Sequence, residues 1–195
     1  MISMIKNLTF FKIGWVACVM FAAAGSPQLS ALSVAAVAAI HLVGVSAPLK
    51  EGLLLAAAAL MGLCWETFLV WTGLLVYPGY ENAALAPYWI VAMWVLFATT
   101  INHGLRWTKR NVWVAALAGG LGGPMAFFGG MNLGAVTFSS TPLALAVIGA
   151  GWAVLLPLLI VVADSIIDSP WLEPGEKPAE QRPAPTPRPM EVGYE

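Results

Sequence analysis

Seven polar residues stand out from an apolar background as candidates for chemistry: His41, Glu51, Glu66, Thr99, Asn102, His103 and Arg106. Thr99, Asn102, His103 and Arg106 recur at i, i+3, i+4 and i+7, the spacing of one helix face. His41 lies near the end of one apolar run, Glu51 opens the next and Asp164 closes the last, so these residues should share one depth. Imidazole, carboxylate and guanidinium brought together suit a headgroup site, a polar-substrate site or an acid–base pair. The plainer reading makes Arg106 a headgroup anchor and gives Asn102 and His103 to frayed helix carbonyls. Both readings stay open at this point.

Glu66 poses a separate question. It lies 14 residues past Gly52, about 21 Å into its apolar run at about 1.5 Å per residue. A charged carboxylate at that depth costs about 2.5–3.5 kcal/mol. Glu66 is therefore expected to be neutral, either carrying protons or substrate, or donating one hydrogen bond to a hydroxyl or carbonyl on a neighbouring helix. At about 100° per residue, Gly52, Ala56, Ala59, Gly62, Glu66, Val70, Gly73 and Tyr77 share one side of a helix. Leu53, Leu54, Met61, Trp65, Phe68, Trp71 and Leu75 take the other, so the small residues and Glu66 are expected to face the bundle.

No metal and no cofactor is expected. The two histidines have no His-x-x-His spacing and no clustered carboxylates. No nucleophile stands beside either histidine, so no catalytic residue is assigned and an enzyme ranks below a binding protein. In Gly119-Gly120-Leu121-Gly122-Gly123-Pro124 no Lys-Ser or Lys-Thr follows the glycines, which excludes a phosphate loop. Gly119-x-x-x-Gly123 suits close helix packing. Pro124 removes one backbone hydrogen bond and predicts a kink; a broken helix lining a buried substrate site is the other reading.

The elements that must position these residues follow from composition. The chain of 195 residues is 59% hydrophobic and 10% charged, with a mean hydropathy of +0.81. Soluble domains run near 45–50% apolar and about a quarter charged. Five of the 10 acidic and 3 of the 9 basic residues fall in residues 169–195, which makes the remainder more apolar still. This excludes a soluble globular enzyme. A net charge of −1 without a basic stripe excludes a nucleic-acid partner. Two cysteines inside apolar stretches, Cys18 and Cys64, exclude a disulfide scaffold.

Six stretches approach the roughly 20 residues a spanning helix needs: 10–24, 29–45, 52–77, 88–103, 112–133 and 143–163. The fold class is thus an all-α, polytopic transmembrane helical bundle of about six spans over residues 1–168. Residues 169–195, which hold 7 of the 14 prolines, read as a disordered cytoplasmic tail. With both termini cytoplasmic, all nine basic residues fall inside and the connections 25–28, 78–87 and 134–142 carry none. A cleaved signal peptide ending near Ala22-Ala23-Ala24-Gly25 is the rival for the first span. No repeat relates the first three spans to the last three, which weighs against a transporter.

Several strings carry a resemblance. Gly62-Leu63-Cys64-Trp65-Glu66, Gly73-Leu74-Leu75-Val76-Tyr77-Pro78, Phe97-Ala98-Thr99-Thr100-Ile101-Asn102-His103, Leu105-Arg106-Trp107 and Gly122-Gly123-Pro124 resemble the signatures of a bacterial inner-membrane family classed only as a domain of unknown function. The resemblance covers roughly residues 8–165 and implies a six-helix inner-membrane protein, with no activity attached. Three functions are carried forward. The first is an accessory or carrier protein that binds a lipid or lipid precursor at the inner-leaflet polar cluster, with membrane lipids and a second membrane protein as partners. The second is a proton-coupled transporter using Glu66. The third is an intramembrane lipid-modifying enzyme with His41 or His103 as base.

Overall fold

The computed structural model of the protein describes residues 4–169, so the tail assigned to 169–195 lies outside the described residues apart from Ser169. Six α-helices form the bundle: α1 Met4–Ala23, α2 Pro27–Gly44, α3 Pro48–Trp71, α4 Tyr88–Ala98, α5 Val112–Asn132 and α6 Thr141–Ile167. Five of them, all but α4, are long and apolar enough to cross a membrane.

Local chemistry sets the helix ends. Prolines sit in the first turn of α2, α3 and α6, where their missing N–H has no intrahelical partner to lose. Asn111 caps α5, its Oδ1 accepting from the Trp113 amide at 2.8 Å. Gly73 and Gly134 stop α3 and α5 at φ +69° and +85°, a region that side chains with a Cβ avoid. Each of these stops launches a short strand, β1 Leu75–Val76 and β2 Thr137–Phe138. The strands pair antiparallel, Leu75 with Phe138 and Val76 with Thr137, and tie the two connections together at this end of the bundle.

This corrects the span expected over 52–77. Helix α3 ends at Trp71, and Tyr77 lies beyond the strand, not on the helix face. The buried face is also rotated from the expected one: it carries Glu51, Leu54, Leu55, Ala58, Gly62, Glu66 and Leu69, while Ala56 and Gly73 are exposed. The small residues do permit close approach, but at Gly62, where an added methyl would land on the Trp94 indole.

The fourth span differs most. It is expected over 88–103, but the helix stops at Ala98 and gives way to turns up to a 3-10 segment, Arg106–Arg110. Eleven residues reach about 16 Å, well short of a hydrocarbon core of about 30 Å. Thr99 and Thr100 turn their hydroxyls back onto the Leu96 and Phe97 carbonyls at 2.7 and 2.6 Å, the local competition that weakens a helix. Helix α4 survives because it is internal: Trp89, Ile90, Trp94, Leu96 and Ala98 are buried among the other helices.

Helix α5 runs unbroken through Pro124 and packs along α6. A methyl at Gly119 would meet the Trp152 carbonyl, and one at Gly123 the Trp152 ring, so this glycine pair is a packing surface. The broken-helix reading of this segment does not describe the chain.

Candidate functional site

Three elements converge on Glu51. The connection from α2 to α3 is only residues 45–47, so His41 in the last turn of α2 faces Glu51 in the first turn of α3. His41 Nε2 stands 3.2 Å from Glu51 Oε2. The turns after α4 supply the rest: Asn102 Nδ2 donates to Glu51 Oε1 at 3.1 Å, and His103 Nε2 stands 3.2 Å from the same oxygen. The imidazole rings meet edge to face, with centroids 5.1 Å apart. His41 is 3% exposed and Glu51 7%, whereas the His103 side chain keeps 17% of its surface.

A second layer surrounds this core. Lys109 Nζ donates to Asn102 Oδ1 and to Asp164 Oδ1, both at 2.6 Å. Asn7 in α1 grips the turn itself, donating to the Thr99 carbonyl at 2.9 Å while its Oδ1 accepts from the Gly104 amide at 3.1 Å. Buried non-helical backbone in a membrane protein persists only where protein satisfies it.

The structure therefore brings His41, Glu51, Asn102 and His103 together, although the helical stripe that suggested this does not exist. Arg106 is exposed and outside the cluster, and Lys109 supplies the cation instead. Thr99 is buried, but it acts through its carbonyl and a local hydroxyl bond. Sequence reading missed Asn7 and Lys109 as members, whereas Asp164, at the close of the last apolar run, shares the expected depth. Asn7 left one usable signal, as the single amide side chain of α1.

Glu66 lies on the same α3 face, 15 residues on from Glu51, so about 22 Å away. It is completely buried. Trp94 Nε1 donates to its Oε1 at 2.9 Å and Tyr77 Oη donates to its Oε2 at 2.8 Å. An indole N–H can only donate, so Glu66 accepts from Trp94 at Oε1.

Glu66, Tyr77 and Trp94 border the floor of a groove of about 430 Å³ between α1 and α5. Leu8, Phe11, Lys12, Trp15 and Val19 form the α1 wall; Gly119, Gly122, Gly123 and Ala126 belong to the α5 wall. Aromatic contacts build the floor: Trp94 stacks on Trp152 with centroids 4.6 Å apart, and Phe97 meets Trp152 edge-on at 5.0 Å. His41, Glu51 and His103 do not line this groove.

Residues 4–158 match the model of a family described as protein of unknown function (DUF2878). The chain belongs to this family. Neither a curated protein nor a solved structure matches the chain.

The family match runs from the start of α1 into α6, and so takes in the groove and every member of the Glu51 cluster except Asp164. With five helices suited to crossing a bilayer, the protein is a multi-pass membrane protein. Chemically the two sites differ. The groove offers apolar and aromatic surface with one lysine on its wall, which suits a hydrocarbon chain. The cluster offers two imidazoles and a carboxylate at close range, which suits a proton or a cation.

Proposed function

We propose that the protein binds an anionic lipid, holding one hydrocarbon chain in the groove between α1 and α5 and the head near Lys12. The single observation that carries this reading is the groove itself. Its 430 Å³ lies within the roughly 300–1,000 Å³ range of ligand pockets. From Leu8 to Val19 the α1 wall is about 16 Å long, close to half of a hydrocarbon core of about 30 Å. One leaflet's worth of chain therefore fits along it, and lipid is the solvent that bathes these helices. Lys12 is exposed on that wall, and lysine stems lie along apolar surface while the ammonium reaches for headgroups. The groove replaces the polar cluster as the place for the chain, since the cavity beside His41 is about 10 Å³.

Two glycines make the test clean. Gly122 lines the groove and has open space where a side chain would grow, whereas a side chain at Gly119 would strike the Trp152 backbone. Purified protein titrated with cis-parinaric acid should show saturable energy transfer from the groove tryptophans, Trp15, Trp94 and Trp152 among them. Gly122→Leu should fold as well as the parent and weaken that transfer at least about tenfold, an effect of about 1.4 kcal/mol. Lys12→Gln should weaken it less. Unsaturable transfer, or transfer unchanged by Gly122→Leu, would end the proposal.

The same reading places the protein in a bacterial inner membrane with both termini cytoplasmic. The support is the distribution of basic residues: where α4 and the turns after it together make the fourth pass, all nine fall on one side. Reporter fusions after Ala84 and Gly175 should read periplasmic and cytoplasmic, respectively. The opposite result at either position overturns the orientation and leaves the groove untouched.

A further inference from the structure

We infer that His41, Glu51 and His103 form a binding site for a first-row divalent transition-metal ion of the Zn²⁺ class. This goes beyond the lipid reading and does not depend on it.

The donor set comes first. The chain has only two histidines in 195 residues, and both place Nε2 at 3.2 Å from the carboxylate of one glutamate. One ligand atom from each of the three residues lies within 4.8 Å of the others. Bonds of about 2.1 Å at tetrahedral angles put neighbouring ligand atoms about 3.4 Å apart, and each imidazole lies close to that spacing from one oxygen of the carboxylate, His41 from Oε2 and His103 from Oε1. Imidazole with carboxylate suits zinc, iron or nickel more than calcium or magnesium, which take oxygen ligands.

The surroundings fit as well. The three ligands come from α2, α3 and the turn after α4, and packing holds each in place: His41 and Glu51 are buried, and Asn7 pins the turn that carries His103. Asn102 donates to the same carboxylate, the kind of outer-shell bond that orients a ligating carboxylate. Lys109, which reaches the cluster through Asn102, is paired with Asp164 at 2.6 Å, so its repulsion of a divalent ion is offset. His103 keeps the side open to solvent, which leaves a path for entry and a position for a fourth ligand. Against these features stands a cluster held by hydrogen bonds alone, with both imidazoles donating to Glu51.

The two arrangements separate by experiment. Full-length protein in detergent, with any affinity tag removed and chelator dialysed away, is titrated with Zn²⁺ by calorimetry, and its zinc content is measured after desalting. One Zn²⁺ per chain is expected. His103→Ala and Glu51→Gln should each weaken binding at least about 100-fold, at or beyond the upper end of outer-shell effects, while melting shows that they remain folded. Co²⁺ needs no variant: its visible ligand-field absorption should saturate at one ion per chain. Folded parent protein that retains no Zn²⁺ and gives no Co²⁺ band overturns the inference. So does binding that both folded variants preserve.

Discussion

Glu66→Leu should lower the stability of the bundle by about 2–6 kcal/mol, because it strands two buried donors at about 1–3 kcal/mol each. Trp94 Nε1 and Tyr77 Oη both point at the carboxylate, and both side chains are 2% exposed, so water cannot replace the lost acceptor. Glu66→Gln should cost only about 1 kcal/mol, near the net worth of a single hydrogen bond. Its amide oxygen still accepts from Trp94, and its NH₂ can donate to a rotated Tyr77 hydroxyl. A double-mutant cycle sharpens the argument. Tyr77→Phe should be destabilising in the parent, where it removes a made bond, and stabilising by about 1–3 kcal/mol in Glu66→Leu, where it removes an orphaned donor. Thermal unfolding of the five proteins in one detergent measures all of this. A Glu66→Leu protein that melts with the parent would show that the network contributes nothing.

The bundle was legible because its determinants are local and numerous: runs of apolar residues, prolines at Pro27, Pro48 and Pro142, and glycines at Gly73 and Gly134. What was illegible depended on groups far apart in sequence. Helix α3 could not be stopped at Trp71 by composition, since Gly73 reads equally as a packing glycine until its positive φ is seen. The rotation of its buried face followed from that misplaced end. The 99–105 segment has the i, i+3, i+4 spacing of a helix and yet is not one, because Asn7, 92 residues before Thr99, pairs the backbone groups a helix would have paired. Residues in the segment still reach Glu51, so the cluster formed for a reason other than the one that suggested it. The ligand set proposed for the metal ion meets the same limit. Ligand spacing in sequence identifies sites built on one element, and this one draws on three.

Asn7 should therefore matter more than a lone amide in an apolar helix ordinarily does. Asn7→Leu leaves the Thr99 carbonyl and the Gly104 amide unpaired in a buried turn, at about 1–3 kcal/mol each. Leucine is close to the same size, so no large cavity confuses the result. The loss should first appear locally, since each 1.4 kcal/mol of opening free energy is about a factor of ten in population. Hydrogen exchange in the 99–105 segment should quicken at least about tenfold, with the exchange of α6 little changed. Because Asn102 and His103 ride on this turn, their contacts with Glu51 should loosen as well, and Zn²⁺ affinity should fall with them. Asn102→Ala provides the contrast: it removes one bond to Glu51 but leaves the backbone clamp intact, so it should weaken the ion site without speeding exchange at Gly104. Exchange at Gly104 that is the same in Asn7→Leu and the parent would mean that the turn holds its shape without the clamp.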